Sequence, residues 1–89
     1  MALYASDFST VFSALLAKSG VSCYRISQFA NLDEAYLGRL KSGQRTNPSP
    51  EMLVRICLAL ARFSDKLDFG DFETLFNATG RSLHPKHRS

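Results

Sequence analysis

The sequence predicts a compact, all-α domain of five helices, one folding unit over residues 1–80. Apolar residues recur three and four positions apart in five segments, and no segment shows the period-two alternation of a half-buried strand. These segments are also punctuated by helix starts and stops: Ser22, Asp33 and Ser49 at beginnings, Gly20, Asn31 and Gly43 at ends. With 89 residues, 45% apolar and 21% charged, the chain can bury one modest core and has no room for a deep catalytic cleft.

The first helix is expected from about Asp7 to Lys18, capped by Ser6 or Asp7 and stopped by Gly20. Its apolar run is too short to span a bilayer and has no basic residue ahead of it, so a cytoplasmic core helix is expected. A short second helix follows Ser22, with Ile26, Phe29 and Ala30 on one side and Asn31 in the left-handed stop position. Asp33 caps a third helix running to Lys41 or Ser42, whose Leu37 and Leu40 point inward and whose stop is Gly43.

"GQRTNPSP" is a loop, because Gly, Asn and two prolines oppose regular structure. Ser49, then Pro50 at N1 and Glu51 at N2, start a fourth helix over about 50–63 that should bury Leu53, Ile56, Cys57 and Leu60, with Phe63 next in the same row and its burial left open. A fifth is expected over about 70–79, with Phe72, Leu75 and Phe76 apolar and Gly80 as terminator. Residues 81–89, "RSLHPKHRS", have no periodicity and are expected to form a mobile basic tail.

Residues 18–62 hold seven basic side chains against three acidic ones, whereas 63–79 hold Asp65, Asp68, Asp71 and Glu73 against Lys66. The middle of the chain therefore suits phosphate and the later stretch does not. Cys23 and Cys57 have no CxxC partner and should be buried or half-buried thiols. His84 and His87 lie in the tail with no third ligand at metal-binding spacing. No nucleophile motif, phosphate-cradling glycine loop or carboxylate pair stands in a recognisable setting, so neither an enzyme, a cofactor, a metal site nor a small-molecule substrate is expected.

Two short helices joined by a tight turn, then a glycine-containing loop and a longer supporting helix, make a helix-turn-helix unit over about 22–42. Residues 8–63 resemble the lambda-repressor-like, or XRE-type, DNA-binding domains. The resemblance rests on Ser22 at the cap, Ile26 and Ser27 in the second helix, and the apolar ladder Leu32, Leu37 and Leu40. It continues through "LKSGQRTNPSPEMLVRICLALA" with Gly43, Pro48, Leu53, Ile56 and Leu60. The chain departs from the family pattern at Cys23, where a glutamine usually touches phosphate, at Lys41 in place of glutamate, and at Asn31 in place of the turn glycine.

The resemblance implies a sequence-specific regulator of transcription whose third helix enters the major groove of double-stranded DNA, as a homodimer on a palindromic site. Such a protein would associate with the nucleoid when bound to DNA. Positions matching Glu34, Ala35 and Arg39 would approach base edges. Arg39 suits guanine O6 and N7, Glu34 suits cytosine N4 and Ala35 a thymine methyl; the competing reading is a solvated face. Phosphate contacts are expected from Ser22, Cys23, Tyr24, Lys41, Gln44, Arg45, Thr46 and Asn47, where the competing readings are a polar loop and, for Tyr24, a cover over the helix junction. Asp33 serves as a cap that contributes about 1 kcal/mol, so its charge does not argue against DNA.

Gly38 costs the third helix on the order of 1 kcal/mol relative to alanine. With Ala35 and Ser42 it forms a small-residue face suited to a groove wall or to another helix. A protein-interaction module, adaptor or antitoxin-like, is therefore the alternative function, and a protein partner is kept open. The phenylalanines at 63, 69, 72 and 76 are candidates for a dimer contact or for completing the monomer core.

Overall fold

A computed structural model describes residues 8–79 as α1 (Phe8–Ser19), α2 (Cys23–Ala30), α3 (Glu34–Ser42), α4 (Pro50–Phe63) and α5 (Phe69–Asn77). No strand occurs among the described residues, so the all-α expectation holds. The expected caps at Ser6 or Asp7, the stop at Gly80 and the tail with His84 and His87 lie outside them.

Local side-chain chemistry sets most boundaries. Ser22, Asp33 and Ser49 accept the amides of Arg25, Ala35 and Met52 at 3.1, 3.1 and 3.2 Å, three N-caps that contribute about 1 kcal/mol each. Between α1 and α2 the buried Ser19 hydroxyl donates to the Leu16 carbonyl and accepts the Val21 amide, which turns the chain at Gly20. Asp68 and Asp71 form a reciprocal capping box at the head of α5, each carboxylate accepting the other's amide at 3.0 Å. That box starts α5 at Phe69, just ahead of the expected 70; the helix ends at Asn77, before the expected 79.

The core lies where α1 packs on α3 and α5, and α2 on α3 and α4. Phe8 and Phe12 stack with ring centroids 5.6 Å apart, beside Leu15, Leu16, Ile26, Leu37, Leu40, Leu53, Ile56, Leu60, Leu75 and Phe76. Cys57 is the half-buried thiol expected and loses only its place in the buried row of α4, whereas the placement of Phe29 is corrected and that of Phe63 is settled. Phe29 is 46% exposed, and Ser27 takes the inward place beside Ile26. Cys57 is half-buried, with Ala59 in the core position, because α4 turns its 56–60 side inward and leaves 54, 58 and 61 outward. Phe63 is half-buried because its ring covers the α2 crossing, not the core centre.

The electrostatic ties on the surface are few. Lys18 reaches Asp71 at 3.0 Å and joins the end of α1 to the start of α5. Glu51 and Arg55 pair at i, i+4 on exposed α4, worth a few tenths of a kcal/mol. Among the described residues no helix is long and apolar enough to cross a membrane.

Candidate nucleic-acid interface

Asn31, Leu32 and Asp33 alone join α2 to α3, so the backbone must reverse abruptly. Asn31 adopts φ 57°, ψ 50°, a left-handed conformation that asparagine tolerates better than most side chains. Its amide and that of Leu32 both donate to the Ser27 carbonyl, closing α2, and Asp33 opens α3 at once. With Leu37 and Leu40 fully buried, the orientation of α3 about its axis is fixed.

That orientation sorts the candidate base readers. Ala35, Gly38 and Ser42 are exposed along the outward face, and a Cβ built on Gly38 would meet no atom within 4 Å. Glu34 and Lys41, seven residues apart, share the flank towards the start of α2. Arg39 is half-buried on the other flank; its carbonyl accepts the Gly43 and Arg45 amides, each at 3.1 Å, and the Ser42 hydroxyl at 3.3 Å. The structure thus brings Ala35 to the outward face and sets Glu34 and Arg39 on opposite edges of it.

Ser22, Cys23, Tyr24, Glu34 and Lys41 come together around an open hollow of about 520 Å³, backed by Ser13, Leu16 and Ala17 of α1. Of the first amides of α2, that of Arg25 is taken by the Ser22 hydroxyl and that of Ile26 by the Ser22 carbonyl. The Cys23 and Tyr24 amides remain without a protein acceptor among the described residues. Burial raises the Cys23 thiol above its ordinary value, with Lys41 opposing and Glu34 reinforcing the shift, so Cys23 is a neutral thiol at pH 7. It offers phosphate a weak S–H donor in place of an amide side chain. The Glu34 carboxylate places negative charge in the hollow, and Lys41 is its cationic counterweight.

Gln44, Arg45, Thr46 and Asn47 are exposed in the loop after α3. Gly43, at φ 91°, takes a conformation costly for other residues, and a Cβ there would stand 3.3 Å from the Ser9 hydroxyl of α1. Ser13 donates to the Lys41 carbonyl at 3.3 Å, and Pro48 is fully buried. The loop is therefore anchored at both ends, with the Arg45 amide tied back to α3.

Two surfaces were not resolved by periodicity. Arg25 and Arg62 lie with their guanidinium carbons 4.9 and 5.6 Å from the ring centroid of Phe63, whose ring also meets Phe29 edge-on at 5.6 Å. Residues 25 and 29 belong to α2 and residues 62 and 63 to α4, so no local spacing brings the two pairs together. An apolar groove of about 230 Å³ runs between α4 and α5, lined by Val54, Cys57, Leu58, Ala61, Phe69, Phe72 and Phe76. Burial pushes the Cys57 thiol at its floor up to about 12.

Among the described residues no group of three metal-ligating side chains converges. No family model matches the chain, and comparisons with curated proteins and with solved structures return no match either.

Proposed function

We propose that this domain is a sequence-specific, double-stranded DNA-binding regulator of transcription, with a lambda-repressor-like arrangement in which α3 enters the major groove. The observation that carries the reading is the outward face of α3: Ala35, Gly38 and Ser42 leave it low enough for close approach, and Arg39, Lys41 and Arg45 flank it. The unpartnered Cys23 and Tyr24 amides and the exposed Gln44–Asn47 loop supply positioning contacts to phosphate on either side. Two copies meet through the α4–α5 groove, where Val54, Leu58 and Phe69 expose 46%, 58% and 53% of their surface. The domain acts in the cytoplasm, on the nucleoid.

Binding to a mixed-sequence duplex over a salt series tests this. Affinity should fall as salt rises, Arg45→Ala should weaken preferred and random duplexes alike, and Arg39→Ala should narrow the gap between them. No binding at low salt overturns the reading; equal effects of both substitutions would misplace the base-reading edge. One observation favours the second reading, a protein-interaction module: the Glu34 carboxylate sits in the hollow that a phosphate would have to share. A folded protein that ignores DNA would support it.

A further inference from the structure

The hollow containing Glu34 is not the best place for phosphate beside α2. A second hollow, of about 400 Å³, lies on the other side of Tyr24 and is lined by Ser22, Tyr24, Arg25, Gln28 and Phe63. Its lining holds no carboxylate, and it shares Ser22 and Tyr24 with the first, so the two hollows adjoin at the head of α2.

The charges here are not explained by folding. Arg25 sits in the first turn of α2, the positive end of the helix dipole, where a cation is disfavoured. Neither Arg25 nor Arg62 forms an ion pair among the described residues, although both are exposed. Both guanidiniums instead lie against one ring, Phe63, itself held by Phe29. Contact with the ring restrains both side chains in advance, so less side-chain freedom is lost when they grip an oxyanion.

We propose that Arg25 and Arg62, held against Phe63, form a second phosphate clamp that grips the DNA backbone beside α2, apart from the Arg45 loop. An incoming phosphate there meets the guanidinium of Arg25, the hydroxyl of Tyr24 and the positive end of α2, with Arg62 as a second charge. The cation disfavoured at the head of α2 thereby gains its counter-charge from the ligand. This inference rests on the DNA-binding reading and extends the footprint to a second stretch of backbone.

The test is equilibrium binding of the full chain to a short random-sequence duplex in a potassium chloride series. Arg25→Gln with Arg62→Gln should lower the slope of log affinity against log salt by about 0.9, the contribution of the one phosphate contact on duplex DNA that the clamp makes. Arg25→Lys with Arg62→Lys should retain the slope but bind several-fold more weakly, because the charges remain and the planar guanidinium fork is lost. Circular dichroism and thermal melts establish that each variant is folded. An unchanged slope in the folded glutamine variant, with Arg45→Ala still lowering it, overturns the clamp and leaves the DNA reading standing. That outcome would assign the patch to an acidic protein partner. Absence of wild-type binding at low salt overturns both.

Discussion

Gly38 occupies the middle of α3, where glycine is the poorest choice apart from proline. Its φ is not among the positive values that would require glycine, and a methyl group there would touch nothing within 4 Å. Gly38→Ala therefore carries no steric penalty in the free protein and should recover the helix propensity difference, about 0.8–1 kcal/mol. For a domain of this size that raises the melting temperature by roughly 4–8 °C. The same methyl stands on the exposed face of α3, between Ala35 and Ser42, so if that face enters the groove as proposed, affinity for a preferred duplex should fall as stability rises. Thermal unfolding by circular dichroism and fluorescence anisotropy on one preparation read the two effects. A variant that is not stabilised would refute the reading of the helix. A stabilised variant with undiminished affinity would refute the close approach of this face to DNA.

Leu58→Glu should disrupt association of two copies. Full burial of a leucine is worth about 1.5–3 kcal/mol, and with 58% of Leu58 exposed the recoverable part is roughly 1–1.7 kcal/mol per protomer. Counted twice, this weakens a dimer on the order of 100-fold before the cost of the carboxylate; sedimentation equilibrium unchanged from wild type would place the dimer contact elsewhere. Asp71 is held below its ordinary pKa of 3.8 by the Asp68 backbone amide first and then by Lys18. Its folded pKa is depressed, so its stabilisation is present above about pH 4 and is lost as pH falls through the lower folded value. Urea unfolding at pH 6 and pH 3 should find Asp71→Asn less stable than wild type at the higher pH, with a smaller gap at the lower. A constant gap would show that the loss is not one of charge.

Sequence reveals the helices of this chain where their ends depend on neighbouring residues. Ser22, Asp33 and Ser49 each bind an amide two or three positions on, and Asn31 and Gly43 take left-handed conformations in place, so local pattern suffices. The Asp68–Asp71 box was equally local but was hidden by a reading of those acids as charge alone. Phe29 and Cys57 were misplaced because helical spacing gives a direction without saying how far a neighbouring helix extends over it. The candidate base readers were legible as members of α3, but their division into an outward residue, Ala35, and two edge residues, Glu34 and Arg39, depends on packing by α1 and α2. The contact of Arg25 with Phe63 joins α2 to the end of α4, and only the tertiary fold brings it to the ring that Arg62, the sequence neighbour of Phe63, also meets.

The central claim is that α3 reads base sequence. Repeated selection of bound duplexes from a random pool, by wild type and by Arg39→Ala in parallel, tests it most directly. The account predicts that wild type enriches a palindrome and that Arg39→Ala loses preference at one symmetric pair of positions. Enrichment of no sequence by a folded wild-type protein would contradict it.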